Sequence, residues 1–159
     1  MTDPMQALLS YVEALRDGSI EAEACSPQSS LCITSDQANG SLRLTYARIV
    51  TGEVKGIAMY CVVDPVDGCP CLQTGYAVVE SCRNQGVGAA LVRDSLQELQ
   101  RNLNRVGVRE FYVEAVVGTD NAPSKRIASA LLSDSPQEIT DQFSGEPALQ
   151  YLRKFVPPN

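Results

Sequence analysis

The stretch from Gly75 to Val106 changes character within a few residues, and this change constrains the fold more than any other feature. Gly75-Tyr76-Ala77-Val78-Val79 is an apolar run of strand length. Glu80 to Gln85 is polar. From Gly86 to Val106, Leu91, Val92, Leu96, Leu99, Leu103 and Val106 recur at helical spacing, while Arg93, Asp94, Gln97, Glu98, Arg101 and Arg105 face away. A strand that passes through a tight turn into a long amphipathic helix needs a layered arrangement of sheet and helix. The turn itself is Arg83-Asn84-Gln85-Gly86-Val87-Gly88. A helix start leaves its first amide N–H groups unpaired and carries partial positive charge. A glycine-rich turn at that point therefore suits a phosphate or pyrophosphate, because nothing keeps the oxygens at a distance.

Spacing separates this turn from other phosphate loops. A Walker loop needs Gly-Lys-Ser/Thr, which is absent. A dinucleotide fingerprint needs Gly-x-Gly-x-x-Gly in the first strand–helix unit. Here the pattern is Arg-x-x-Gly-x-Gly after several earlier strands.

The rest of the chain supplies those strands. Pro4 to Arg16 reads as a helix capped by Asp3, with Met5, Leu8, Leu9, Val12 and Leu15 as its apolar stripe. Ala24 to Ser30 reads as loop and Leu31 to Ser35 as a short strand. Ser41 to Val50, Val54 to Val63 and Leu72 to Val79 are further strands, with Asp64 to Pro70 as a loop. Behind the long helix come the strand Glu110 to Val117, the helix Pro123 to Leu132, and a final hairpin of Glu138 to Phe143 and Ala148 to Val156. The expected fold is mixed α/β in a single domain over residues 1–159, with an antiparallel front half and a strand–helix–strand unit behind it.

Composition narrows the chemistry. The 159 residues contain no histidine, which excludes His-based triads and His-ligated metals. A general base must be a carboxylate, thiolate, tyrosine, lysine or held water. The six cysteines lack a Cys-x-x-Cys pair. They are expected to be reduced thiols packed as small hydrophobes, with neither a disulfide framework nor a metal site. The net charge of −6 and the pI of about 4.6 argue against a nucleic-acid surface and suit a cationic substrate. Met1-Thr2-Asp3-Pro4 lacks the start of an export signal, and no apolar run is long enough for a membrane span. The expected location is cytoplasmic.

Two motifs together resemble the GNAT superfamily of acyl-CoA-dependent N-acetyltransferases. The first is Gly75-Tyr76-Ala77-Val78-Val79 with Arg83-x-x-Gly86-x-Gly88-Ala89. The second is Asn121-Ala122-Pro123-Ser124 after the strand Phe111 to Val117. The likeness runs from about Leu42 to Phe155. It implies a central, mostly antiparallel mixed sheet of six or seven strands flanked by three or four helices, with two strands splayed at an acyl-CoA site. It also implies backbone pairing of Tyr76, Ala77, Val78 and Val79 with pantetheine. The pyrophosphate would be held by Asn84, Gln85, Gly86, Val87, Gly88 and Ala89, with Arg83 in the same signature. Asn121 and Ser124 would reach the pantetheine arm; helix capping is their alternative role.

The implied activity is transfer of an acetyl (acyl) group from acetyl-CoA, with no metal, to a primary amine of a small molecule or protein. A homodimer is possible. The family's usual tyrosine, seven residues after the asparagine, is Ala128 in this chain. A catalytically weak acyl-CoA-binding module is therefore the alternative. Glu114 is the first candidate base, because a carboxylate inside an apolar strand is costly without a reason. Glu80, at the junction of strand and loop, is the second. Tyr151 is a candidate proton donor, with core packing as its alternative. Glu21, Glu23, Asp36, Glu138, Asp141 and Glu146 lie where an acceptor pocket is expected and would suit a cation.

Overall fold

Three two-residue turns fold the front half of the chain into a meander. Asn39-Gly40, Thr51-Gly52 and Asp67-Gly68 each have positive φ at both residues. This is the conformation whose twist matches that of paired strands. The structure is a computed structural model and describes residues 3–158. Met1 and Thr2, part of the start read for an export signal, lie outside the described residues. The elements are α1 (Pro4–Asp17), β1 (Glu23–Ala24), β2 (Leu31–Ala38), β3 (Ser41–Val50), β4 (Glu53–Val66), β5 (Cys69–Val78), a 3₁₀ turn (Glu80–Cys82), α2 (Val87–Arg105), β6 (Phe111–Gly118), α3 (Ala122–Leu131), β7 (Gln137–Thr140) and β8 (Pro147–Phe155).

All eight strands form one sheet in the order β1-β2-β3-β4-β5-β6-β8-β7. Every neighbouring pair is antiparallel except β5 and β6. The strand count exceeds the expected six or seven because Glu23 and Ala24, at the edge of an expected loop, pair with Ile33 and Cys32. The expected loop Asp64 to Pro70 is also largely strand. The Asp67-Gly68 turn is tight enough to carry β4 to Val66 and start β5 at Cys69. Pro65 and Pro70 are tolerated because the register shifts between Val63 and Val66, where a missing N–H breaks no regular ladder.

Two apolar layers cover the sheet. On one face α1 buries Leu8 and Tyr11 against Ala47, Ile57 and Met59. Tyr11 replaces Leu9 in the expected stripe. Leu9 is 54% exposed, while the Tyr11 hydroxyl reaches Thr34 at 3.1 Å. On the other face α2 and α3 cover Tyr46, Tyr60, Leu72, Val113, Ala115 and Tyr151. Leu91, Val92, Leu96 and Leu99 of α2 are buried there, but Val106, just past its end, is 74% exposed. Arg48 of β3 pins α2 through Asp94 at 2.6 Å. The close fit of α2 depends on Gly56, where a Cβ would lie 2.8 Å from the Ala77 carbonyl oxygen and 3.1 Å from Leu91 Cδ2. All six cysteines are free, and among the described residues no helix is long and apolar enough to cross a membrane.

A thin polar layer lies under α2. The Tyr60 hydroxyl pairs with Ser95 Oγ at 2.6 Å, and Asn102 Nδ2 donates to the Tyr46 hydroxyl at 3.0 Å. Burial raises the pKa of both tyrosines above the ordinary 10.0, against the opposing effect of those hydrogen bonds. Folding therefore holds these protons more tightly than the unfolded chain does. The resulting stability is complete below pH 10.0 and is lost as the pH climbs beyond it. Urea unfolding across the alkaline range is expected to show this fall, and Tyr46→Phe to reduce its slope. Gly56→Ala is expected to lower stability by about 1–3 kcal/mol at neutral pH, since the clashing atom is backbone.

Candidate functional site

The parallel contact between β5 and β6 is short. It runs from Cys71↔Tyr112 to Thr74↔Ala115 and then stops. Beyond it, Gly75 to Val78 pair only with β4, and Val116 to Gly118 only with β8. The two strands diverge and leave facing backbone edges. Val79 donates its N–H to the Lys55 carbonyl at 3.0 Å, which fixes the alternation along β5. Backbone groups of Ala77 and Val79 turn to β4, so those of Tyr76 and Val78 turn to the gap.

A cleft of about 820 Å³ fills this gap. Its walls include Thr74, Tyr76 and Val78 of β5, Ala115 and Val117 of β6, the Arg83–Ala89 turn, and Asn121 and Ser124 of the α3 start. Of the residues expected there, Tyr76, Ala77, Val78, Arg83, Asn84, Gly86, Val87, Gly88, Ala89, Asn121 and Ser124 line it. Val79 and Gln85 do not. Val79 packs toward α1, and Gln85 Nε2 donates to the Ser81 carbonyl at 2.9 Å, closing the turn.

Backbone conformation shapes the turn. Asn84 has φ 61° and Gly86 has φ 76°. Gly86 is the N-cap of α2 and no side chain caps the helix, so its first amides are left for a ligand or water. Gly88 has a packing reason besides the one read in the sequence. A Cβ there would meet Ile127 Cδ1 at 3.2 Å and Val78 Cγ2 at 3.3 Å, so the missing side chain lets α2 settle between β5 and α3. Arg83 donates from Nε to the Val78 carbonyl at 3.2 Å. Opposite, Asn121 Oδ1 accepts the Ser124 N–H at 3.3 Å, so it does cap α3. The Tyr76 hydroxyl crosses to donate to the Ser124 carbonyl at 2.8 Å, and burial holds its proton well above the usual tyrosine range.

The candidate acid and base residues fall in three different places. Glu114 sits on the face of the sheet opposite α2 and α3, at the last rung but one of the parallel pairing. Gln73 Nε2 donates to its Oε1 at 3.2 Å and Gln150 Nε2 to its Oε2 at 3.0 Å. Nearby, burial pushes the Cys71 thiol up to about 11, and the Glu114 charge adds to that shift. Glu80 is exposed in the 3₁₀ turn and does not line the cleft. Tyr151 is 1% exposed in the core under α2 and α3, beside Ala115. Ala128 is likewise buried in that core.

Three cleft residues escape a motif-based reading. Arg93 and Arg126 line it as single cations on helices, with no pattern around them. Thr74 is 4% exposed at the last rung of the parallel pairing, across from Tyr60 on β4. Its only sequence signal is a hydroxyl at an inward strand position between Leu72 and Tyr76. Asp141 and Glu146 gather with Asp120 around a second cavity of about 420 Å³, which shares Gly118 with the cleft. Asp36 is instead paired with Arg43.

No protein-family profile matches the sequence, and no curated protein matches it either. Solved structures do match the fold. One is RimL, a ribosomal L7/L12 alpha-N-protein acetyltransferase, at 21% identity and TM-score 0.51, over 73% of this chain and 72% of that one. A GNAT-family acetyltransferase from Streptococcus pneumoniae matches at 13% identity and TM-score 0.52, over 76% and 70%. RimJ from Mycobacterium smegmatis, in complex with CoA-disulfide, matches at 18% identity and TM-score 0.54, over 72% of this chain and 54% of that one. At these identities the likeness establishes the fold: this chain has the fold of GNAT acetyltransferases.

Capping predicts a separable property of Asn121. Asn121→Ala is expected to cost about 1 kcal/mol of stability, and Asn121→Asp to restore it, as read by urea unfolding.

Proposed function

We propose that the cleft holds an acyl-CoA, usually acetyl-CoA, and that the chain transfers the acyl group to a primary amine of a small molecule or a protein. The observation that carries this is the early end of β5–β6 pairing, directly beside a helix start without a side-chain cap. The backbone groups of Tyr76 and Val78 suit a ligand that carries its own amides and adds as a short strand. The amides of Val87, Gly88 and Ala89 suit the pyrophosphate, and Arg93 and Arg126 add positive charge for phosphates in an otherwise acidic chain. Asn121 contributes from the rim opposite β5, in addition to capping.

Direct attack in a ternary complex fits the geometry better than a covalent acyl-enzyme. Among the described residues the cleft has one thiol along its wall, Cys82, and it lies in the 3₁₀ turn beside the proposed pyrophosphate site, away from the vertex. Glu114, next to the vertex but outside the cleft's lining, is the proposed acceptor of the amine proton. Its two glutamine amides hold the carboxylate in place. The N–H of Tyr76 points into the gap and is placed to stabilise the oxyanion. The acidic cavity of Asp120, Asp141 and Glu146 supports a cationic acceptor. A protein alpha-amine is the acceptor in RimL's name, which adds protein N-termini to the classes worth testing.

A second reading is a catalytically weak acyl-CoA-binding module on the same fold. Ala128 favours it, since a buried methyl group stands where the resemblance implies a tyrosine.

Release of thiol from acetyl-CoA, screened over polyamines, amino acids, aminoglycosides and peptides, tests the transfer. Glu114→Gln is expected to lower kcat by about tenfold or more and to leave CoA affinity by calorimetry unchanged. Tight CoA binding without turnover on any class would favour the module. Absence of CoA binding would sink both readings.

A further inference from the structure

The side chain of Tyr76 makes a connection that the proposed chemistry does not use. Thr74 is the last residue of β5 to pair with β6. Two positions on, past Gly75, Tyr76 turns its ring to the layer of α2 and α3. The ring reaches across the opening, and its hydroxyl donates to the Ser124 carbonyl at 2.8 Å. Among the described residues this is the one hydrogen bond between β5 and α3. The N–H of the same Ser124 donates to Asn121 Oδ1 at 3.3 Å. Ser124 is thus held at both backbone groups, at one by β5 and at the other by the residue that caps α3. All three residues line the cleft.

We propose that Tyr76 is a positioning residue for the acyl donor: its bridge to Ser124 fixes the start of α3 relative to β5, and so sets the width of the gap that the pantetheine arm enters. This rests on the acyl-CoA reading of the cleft. A strand-like arm between two strands needs about 10 Å from one to the other, twice the roughly 4.8 Å between neighbours. Beyond Thr74 no ladder between β5 and β6 sets that distance. The bridge supplies a substitute. Only Thr119, Asp120 and Asn121 separate β6 from α3, so a fixed α3 start also fixes the upper end of β6. A tyrosine suits the task, because a rigid ring with two side-chain torsions has little freedom to lose.

Room for the ring depends on Ala128. The Ser124 carbonyl is also the helix acceptor for the Ala128 N–H. A helix hydrogen bond spans roughly 2.9 Å, so the phenol oxygen lies within about 6 Å of the Ala128 nitrogen. Ala128 is 1% exposed in the cluster that Tyr76 packs against. A larger side chain there would take space that the ring needs. The bridge lies two strand positions from the vertex, about 7 Å along β5. It is made away from the α2 start, where the pyrophosphate is proposed. Its effect therefore falls on the arm of the ligand and spares the nucleotide end.

Tyr76→Phe removes the bridge and keeps the ring and the backbone. Calorimetry with CoA is expected to show affinity about threefold to tenfold weaker than in the original, the size of one neutral hydrogen bond. Adenosine 3′,5′-diphosphate, which has the nucleotide end and lacks the arm, is expected to bind both proteins equally. With an accepted amine, KM for acetyl-CoA is expected to rise by the same factor, with kcat within about twofold. Equal affinity of the two proteins for CoA would overturn the role of Tyr76 and leave the acyl-CoA site standing. Equal weakening of CoA and of the nucleotide fragment would also overturn it, because the tyrosine would then serve the fold as a whole. A fall in kcat with KM unchanged would place the hydroxyl at the reacting atoms and overturn the positioning role as well. No binding of CoA to the original protein would overturn both this proposal and the reading beneath it.

Discussion

The end of hydrogen bonding between β5 and β6 after Thr74 and Ala115 is the constraint on which the rest of the site depends. Two neighbouring strands that part inside a sheet leave backbone donors and acceptors unsatisfied on both edges, and buried backbone rarely stays so. The surrounding elements meet this in part. Arg83 covers the Val78 carbonyl, and Tyr76 ties β5 to α3 across the opening. What remains open is narrow, polar along its edges and closed at one end. That shape suits an extended ligand with amides of its own.

The same strand serves two partners by alternation. Odd-numbered residues near the end of β5 turn their backbone to β4, and Ala77 and Val79 pack with the α1 layer. Even-numbered residues face the gap and the α2–α3 layer. The first helix and the proposed ligand thus read alternate residues of one strand. At the vertex the alternation separates chemistry as well, with a carboxylate held by two amides on one face and the buried Thr74 beside Tyr60 on the other.

Much of this was legible in the chain. The switch of pattern from Glu80 to Gly86 located the strand–turn–helix unit. Three features were hidden for physical reasons. Pro65 and Pro70 masked a hairpin, because a proline counts against a strand only where its N–H is needed. Leu9 and Tyr11 exchanged roles, because an aromatic ring with a polar end can be buried where its hydroxyl finds Thr34. Thr74 carried no motif at all. Its place at the last rung of the parallel pairing is a three-dimensional property. Among the carboxylates, Glu114 was visible as an oddity in an apolar strand, but its two glutamine neighbours come from different strands and leave no local trace.

Gly86 and Gly88 look alike in the sequence and differ in what they answer to. Gly86 gives the turn, with Asn84, a left-handed residue at the mouth of the cleft, while Gly88 packs against Val78 and Ile127. Loss of the ligand would relax neither demand at Gly88. A chain of this fold that held nothing in the cleft would still pack most tightly with a glycine there. Half of the signature therefore records architecture, and could outlast the activity it is usually taken to announce.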